Sequence, residues 1–400
     1  MVAVKRWSCM GEEMRRSLKL LLVVQLTINF RGGVVSPILA LFIRGQGLSV
    51  AQIGLLGTAS MLGWLFFEPL SGVIADRVRK KYMIVFALAA STIVYAAYPF
   101  ANTVLHFALL AFSLSSVMSF CAVSVKTLMA EILPESERGR TYGRYLSIIS
   151  VGGIIAPLMG GYISEVVGYA VPFYMSAGIG VLGVSAALLM RHEHTPTIGS
   201  SPVDAAPQAG SLWTKPFIGI LVIRTIFMFN LVFRQNFLPI YLHESPNFRA
   251  SEAEIGAFMT IVRIVSAPSQ MLIGDLIDRV GCRAVVASSV GLIGLSYLGL
   301  VYAGGILPLY MLGALQGVFL PAADMSMMIH LMEIMPEGRT GMVMGIYSES
   351  ENVGGMIASP SLGYVYEILG PTTSIFAVTG ALIVNAVLSL LMVNEGSGKE

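Results

Sequence analysis

Nine charged side chains lie inside long apolar stretches of this sequence. A charge at the centre of a membrane-spanning helix costs about 2.5–3.5 kcal/mol on insertion, so such residues usually face a cavity or an opposite charge. Two kinds of chemistry follow: a buried carboxyl group can take up and release a proton, and a buried cation can bind an anion. For any one residue, ion pairing that serves the structure alone is the alternative. The cations are Arg31, Lys126, Arg224, Arg234 and Arg263, and the anions are Glu68, Asp324, Glu349 and Glu351.

The stretches that hold these charges are long enough to cross a bilayer, since about 20 helical residues span about 30 Å of hydrocarbon. The chain is 55% hydrophobic and 12% charged, which leaves too little polar surface for a soluble globule of 400 residues. We predict an all-α membrane protein with twelve transmembrane helices in two pseudo-symmetric six-helix bundles. The predicted spans are 18–43, 52–74, 82–101, 106–132, 142–164, 170–190, 216–242, 254–275, 283–303, 308–333, 341–366 and 371–393.

The second half of the chain repeats the first. Ser49 and Gly54 return as Ser251 and Gly256, an offset of 251 − 49 = 202 residues that holds without a gap along most of the sequence. A duplicated apolar unit of this length is typical of secondary transporters, whose substrate site lies between two halves. A Pro-, Ser- and Gly-rich segment divides the copies. The predicted organisation is an N-terminal half at 1–190, a linker at 191–214 and a C-terminal half at 215–400.

All four acids have neutral residues at the equivalent positions of the other repeat, which suggests a task that belongs to one half. They are Glu68, Asp324, Glu349 and Glu351, opposite Gln270, Ala122, Ser147 and Ile149. Since residues two apart on a helix point about 200° apart, Glu349 and Glu351 cannot line the same cavity. Glu351 shares the face of Gly355, so we predict helix packing for Glu351 and a cavity position for Glu349. The candidates for proton coupling are therefore Glu68, Glu349 and Asp324.

Lys and Arg residues are distributed unevenly between the two sets of loops. If the N-terminus is cytoplasmic, the outer loops hold only Arg44 and Arg249, and the other loop cations lie on the cytoplasmic side. This bias predicts that both termini are cytoplasmic, in a multi-pass plasma (inner) membrane protein. The net charge of +2 reflects this bias and does not indicate nucleic-acid binding. The three cysteines share no metal-ligand spacing, so we expect no metal, no cofactor and no disulfide.

The loop after the second predicted helix, and its repeat, carry an aspartate beside a cluster of cations. Such an aspartate can bind the exposed amide end of a neighbouring helix while the cations face water and anionic lipid. The pattern resembles the G-x-x-x-D-R-x-G-x-R/K signature of the major facilitator superfamily. The resemblance implies two halves that rock around a central site, and a latch that holds the cytoplasmic side closed in one state. The latch residues are Gly72, Asp76 and Arg77, and Gly274, Asp278 and Arg279.

The fifth predicted helix carries Gly153, Pro157, Gly160 and Gly161. Small residues at this spacing let helices approach closely, and a packing face is the simplest interpretation. The string also resembles the G-x-x-x-G-P-x-x-G-G antiporter motif of the drug:proton antiporters in that superfamily, with Ala156 in place of the Gly before Pro. The resemblance implies proton-coupled export.

Arg31 and Arg234 lie near the middle of the first helix of each half, one residue from strict repeat equivalence. Organic-anion and organophosphate members of the superfamily grip their substrate with one arginine from each half, and the chain resembles them here. The resemblance implies a substrate site with these two arginines, to which we add Asn29, Lys126 and Arg263. A carrier of organic anions or phosphate esters is therefore the alternative to an exporter of drug-like molecules.

We expect a secondary transporter that acts as a monomer on a small molecule and on protons. No phosphate-binding loop of the G-x-x-x-x-G-K-[ST] type occurs, and neither do the hydrolase patterns G-x-S-x-G and H-E-x-x-H, so the sequence does not favour ATP drive or an intramembrane enzyme. A receptor on the same scaffold that does not transport is the remaining alternative.

Overall fold

The computed structural model describes residues 12–75, 77–132, 148–149, 152–190, 213–335 and 340–393. These residues form helices, and no strand occurs among them. The helices of the first half are α1 (Glu12–Val35), α2 (Leu39–Gly45), α3 (Val50–Ala75), α4 (Lys80–Ala97), α5 (Val104–Ile132), α6 (Ala156–Val167) and α7 (Ala170–Leu188). Those of the second half are α8 (Lys215–Val232), α9 (Leu238–Glu244), α10 (Glu252–Val280), α11 (Cys282–Tyr302), α12 (Ile306–Ile334), α13 (Thr340–Leu369) and α14 (Pro371–Met392).

The predicted fold class, an all-α membrane protein of two helical bundles, is confirmed. Among the described residues, ten helices are long and apolar enough to cross a membrane. The helix α13 spans 30 residues but has a polar stretch at 347–352, which lowers its mean hydropathy. The fifth predicted span is described only from residue 148 on, with gaps, and the predicted linker at 191–214 lies outside the described residues except for its last two.

The first membrane span of each half departs from a regular α-helix, although hydropathy predicted one. Residues 36–38, which include Pro37, separate α1 from α2. The equivalent span of the second half, Lys215–Glu244, stays helical but contains a π-helix at Phe233–Phe237, and Pro239 follows as the second residue of α9. Proline has no amide hydrogen to continue a helix, and a π turn holds one residue more than an α turn.

Equivalent capping boxes begin α3 and α10. The Ser251 hydroxyl accepts a hydrogen bond from the Glu254 amide, and the Glu254 carboxylate accepts one from the Ser251 amide. In the first repeat, Ser49 and Gln52 make the same two contacts. Each box satisfies amide groups that the first turn of a helix leaves free, so the repeated sequence fixes the same helix start twice.

The two halves meet at one end of the molecule along two pseudo-symmetric helix pairs, α3 with α13 and α10 with α6. Gly54 lies against the Ser359 carbonyl group, and its repeat equivalent Gly256 lies against the carbonyl group of Pro157. A side chain at either glycine would meet this backbone, so the contact depends on glycine. We call this end, which also holds Arg44, the sealed end, and the opposite end the open end.

Polar contacts reinforce the sealed end. The amide of Val50 donates to the Glu367 carboxylate (2.8 Å), and the amide of Ala253 donates to the Glu165 carboxylate (3.1 Å). Glu165 and Glu367 are repeat equivalents, and each places a negative charge at the N-terminus of a helix in the other half, where the helix dipole favours it. The Arg44 guanidinium also donates to Glu244 across the halves (2.8 Å), and this hydrogen bond raises the pKa of Arg44.

Candidate functional site

A cavity of about 740 Å³ lies between the halves. Met332 and Met344 in its wall lie near the end of α12 and the start of α13, so the cavity reaches the open end. The wall also contains Trp64, Met61 and Tyr347 between the charged residues. A cavity closed at one end and lined by apolar and charged side chains can hold a small amphipathic molecule.

Arg224 on α8 binds two carboxylates at the wall of this cavity. Its guanidinium donates to Asp324 on α12 (Nη1–Oδ1 2.5 Å) and to Glu351 on α13 (Nε–Oε1 2.9 Å, Nη2–Oε1 2.7 Å). The guanidinium carbon also lies 5.7 Å from the Phe227 ring centre and 5.4 Å from that of Tyr347. The Arg224 side chain is 8% exposed, whereas Glu351 is 32% and Asp324 58% exposed. One cation therefore joins three helices through two acids that reach the cavity, where they can exchange protons.

Lys126 lies opposite, in the first half, with its Nζ 3.8 Å from the Glu68 carboxylate. The Lys126 side chain is 65% exposed and that of Glu68 20%, so the pair is loose and solvated. Both residues line the same cavity as Arg224. The expectation that Glu68 and Lys126 reach a central cavity therefore agrees with their positions, while their roles stay predictions.

Glu351 was predicted to serve helix packing, and that prediction was wrong, because Glu351 lines the cavity. Glu349 accepts a hydrogen bond from Asn352 (3.2 Å), which lies in the same cavity wall, and the coupling role of Glu349 stays a prediction. A side chain at Gly355 would meet Met61 of the other half, so the face shared by Gly355 and Glu351 is the one that turns toward the centre.

A second cavity, of about 610 Å³, shares Arg224 and Asp324 with the first. Its wall contains Arg234 and Arg263 from the second half and Asn29 from the first. Among the described residues, neither Arg234 nor Arg263 has a carboxylate oxygen within 4.0 Å. These two arginines and Asn29, all predicted to bind substrate, therefore do meet in one cavity.

Arg31 does not join them. Its side chain is 1% exposed inside the first half, where it donates to the Ser91 hydroxyl (2.6 Å) and lies over the Tyr95 ring (5.2 Å from the ring centre). Its strict repeat equivalent is Phe233, which packs edge-on against Tyr297, the equivalent of Tyr95. Arg234 is one residue further along, and one residue turns a helix by about 100°. The structure therefore separates the pair that the sequence suggested.

The antiporter-like segment of the first half is completed by the second half. Pro157 has no amide hydrogen, so the Gly153 carbonyl, four residues earlier, lacks its helical donor. Arg263 of α10 donates to that carbonyl (3.1 Å), and the free amide of Leu158 donates to the Thr260 hydroxyl (3.1 Å). The two remaining glycines of the motif, Gly160 and Gly161, abut backbone of α1 and of the start of α10.

The latch residues lie at the open end. Asp278, Arg77 and Arg279 are exposed, and side chains at Gly72 or Gly274 would meet no atom within 4 Å. Asp76 lies outside the described residues, as do residues 133–147 and 336–339, which hold the loops expected to face the latch. The latch stays a prediction.

Sequence reasoning missed several residues that the structure places at the centre or at the seal. Arg224 was recognised only as a charge within a span, and its two carboxylate partners were not foreseen. Glu165 and Glu367 were not singled out, although a glutamate preserved at the repeat offset was the available signal.

Two helical halves around a cavity that is sealed at one end are typical of secondary membrane carriers. The sequence matches the family model of the Major Facilitator Superfamily over residues 21–245 and 225–400, and the chain belongs to this family. This membership confirms the resemblance recognised from the repeated aspartate signature.

Relatives and solved structures agree with the family. An uncharacterised MFS-type transporter of Methanocaldococcus jannaschii is 23% identical over 346 residues, which cover 84% of this chain and 88% of that protein. The quinolone resistance protein NorA of Staphylococcus aureus is 25% identical over 228 residues, 56% of this chain and 58% of NorA. The fold is similar to that of a bacterial homologue of the human lysosomal transporter Spinster (TM-score 0.79, 16% identity, 96% of this chain and 97% of that chain) and to the nucleoside transporter NupG (0.73, 16%, 96% and 99%).

Proposed function

We propose that this protein is a proton-coupled secondary transporter that exports a small amphipathic molecule. One observation carries the proposal: Arg224 is bound by Asp324 and Glu351 at the wall of a cavity between the halves. The three residues belong to three helices, so a proton taken up by either acid weakens a contact between elements that line the cavity. A proton then changes the relative stability of the states of the carrier, which is the thermodynamic requirement for coupling.

The coupling residues in this proposal are Asp324 and Glu351, with Glu68 and Glu349 as further candidates. Asp324 was expected from its lack of a counterpart in the first repeat, and Glu351 joins it because of its position. Among the described residues, Glu68 has a loose ion pair with Lys126, and Glu349 accepts a hydrogen bond from Asn352.

Export is supported by the similarity to NorA, which is named for quinolone resistance. We place the open end on the cytoplasmic side, because most loop cations lie there and the sealed end has Arg44 and Arg249. Both termini are then cytoplasmic, and the cavity faces the compartment from which an exporter loads its substrate. The linker at 191–214 joins the halves on that same side, and the functional unit is a monomer in the plasma membrane.

A carrier of organic anions or phosphate esters is the second candidate. Arg234 and Arg263 favour it, since they share a cavity and have no acidic partner among the described residues. An anion site made by Arg31 and Arg234 together is not supported, because the Arg31 side chain is buried within the first half.

Everted membrane vesicles test the coupling, with the quinolone norfloxacin as the probe. An acid interior should drive accumulation in vesicles with the wild-type protein, and the ionophore nigericin should abolish it. The double variant Asp324→Asn/Glu351→Gln should lose gradient-driven accumulation but retain exchange at equal pH, because amides mimic the protonated acids and cannot titrate. Glu333→Gln, on α12 but outside the cavity, is the matched control. Accumulation at the wild-type rate in the double variant, or accumulation insensitive to nigericin, would refute the coupling scheme.

A further inference from the structure

Two cavities share the side chain of Arg263. The second cavity holds Arg234 and Arg263, and a third cavity of about 380 Å³ extends from Arg263 toward the sealed end. Arg263 is a wall residue of both. The two cavities therefore adjoin at Arg263.

The second cavity contains two arginines that form no ion pair with a described residue, although Asp324, which is bound to Arg224, also lies in its wall. Arg224 is held by two acids, but Arg234 and Arg263 are held by none among the described residues. The Arg234 Nε is buried and has no hydrogen-bond partner within the described part of the chain. A buried donor without an acceptor is unfavourable, and more so when it is charged. A bound anion in the cavity would offset the cost of burying the charge of this guanidinium.

The surroundings of the two arginines suit an anionic group. Asn29, Ser266 and Gln270 line the same cavity and offer amide and hydroxyl groups for further hydrogen bonds. Guanidinium groups bind carboxylate, phosphate and sulfonate oxygens in a planar, two-pronged geometry. Because Asn29 belongs to the first half and the arginines to the second, an anion here contacts both halves.

The third cavity suits an apolar body. Its wall is mostly aliphatic and aromatic, with amide groups from Gln235 and Asn236 near Arg263. Its volume lies within the range of cavities that hold small organic molecules. The apolar and aromatic wall residues are Leu39, Ile53, Leu56, Tyr95, Tyr98 and Phe107.

We propose that the protein binds an amphipathic organic anion, with its acid group on Arg234 and Arg263 and its aromatic or aliphatic body in the third cavity. The proposal rests on the proposed transport function and defines the substrate class of that site. Arg263 also donates to the Gly153 carbonyl of the first half, so the arginine that binds the acid group also takes part in a contact between the halves.

A charge series on one ring system tests the class. Purified full-length protein in lipid nanodiscs is titrated with 2-naphthoate, 2-naphthamide and 2-naphthylmethylammonium by calorimetry, with sodium sulfate as an anion that has no apolar body. 2-Naphthoate should bind at least about tenfold more tightly than the amide and the ammonium compound, because charge-assisted hydrogen bonds are about twice as strong as neutral ones. Sulfate should bind more weakly than 2-naphthoate.

Variants then test the location. Arg234→Gln and Arg263→Gln should each remove the preference for the acid, and the Lys variants should restore part of it because charge is kept without the planar fork. Lys215→Gln, which removes an exposed cation at the start of α8, is the control and should bind like wild type. Thermal unfolding of every variant separates loss of binding from loss of folding.

Each other outcome overturns the proposal in a defined way. Equal binding of the three naphthyl compounds, or no binding of any, removes the anion site, and tightest binding of the ammonium compound assigns the site to the carboxylates around Arg224. A preference for 2-naphthoate that survives in both Gln variants places the anion elsewhere, and sulfate that competes equally removes the apolar subsite. Binding is measured without a proton gradient, so failure of proton-driven transport would leave these results intact.

Discussion

Gly54 is the position at which a single methyl group should shift the conformational equilibrium. In Gly54→Ala the new Cβ would lie 2.5 Å from the Ser359 carbonyl oxygen and 3.2 Å from the Gly363 Cα. Both obstacles are backbone of α13 in the other half, so no side-chain rotation can make room. The clash is relieved when α3 and α13 separate, which opens the sealed end.

The magnitude follows from the cost of overpacking. One added methyl group in a well-packed contact costs about 1–3 kcal/mol. The higher helix propensity of alanine contributes equally to both states, because α3 stays helical in each. A difference of about 1–3 kcal/mol changes the ratio of the two states about 5- to 150-fold in favour of the state with the sealed end open. Gly256→Ala, at the equivalent contact with Pro157, should act in the same direction.

Double electron–electron resonance measures the distance between two spin labels and can detect this shift, once the native cysteines have been replaced. Phe100 and Tyr302 are equivalent, 74% and 80% exposed, and lie at the sealed end; Val78 and Val280 form the matching pair at the open end. In Gly54→Ala the first distance should lengthen and the second shorten. Gly178→Ala, where the Cβ meets nothing within 4 Å, is the control. Unchanged distances, or equal changes in the control, would show that this contact does not hold the sealed end.

Three further perturbations test the charged and capped contacts. Arg224→Gln leaves two acids without their cation and should lower the free energy of unfolding by about 1–3 kcal/mol. This is less than the loss for a fully buried ion pair, because both acids are partly exposed. A thermal unfolding midpoint equal to that of the wild type would contradict the pairing. Glu165→Gln and Glu367→Gln should each weaken the sealed end by about 0.3–1 kcal/mol, and the sealed-end label distance should respond additively. Thr260→Val removes the acceptor of the Leu158 amide at a cost of about 1 kcal/mol, so hydrogen exchange of that amide should accelerate about fivefold, and an unchanged rate would exclude the contact.

The fold was predictable because its determinants are local and repeated. Apolar length fixes the spans, and the same capping box at Ser49 and Ser251 fixes where α3 and α10 begin. The break between α1 and α2 and the π turn after α8 were not predicted, because hydropathy averages over a helix and does not register a missing amide or a π turn.

The site was predictable as a set of residues but not as a set of contacts. Arg263, Arg234 and Asn29 lie in one cavity wall, in line with the rule that cations within a span usually face a cavity or an opposite charge. The prediction that Arg31 faces the cavity with Arg234 failed because an offset of one residue rotates a side chain by about 100° around the helix. The repeat alignment does not show this rotation. The prediction that Glu351 serves helix packing failed because small residues indicate a close helix contact but do not show which half provides the neighbouring helix.

The carbonyl group of Gly153 has a consequence for biogenesis. Its donor, Arg263, lies 110 residues further along the chain and belongs to the other half. When the first half leaves the ribosome, its fifth span therefore contains a proline-interrupted turn whose carbonyl and whose Leu158 amide have no partner in that half. A membrane interior supplies no water to take their place. Among the described residues, these two groups of the first half therefore gain their partners only once α10 is in the membrane.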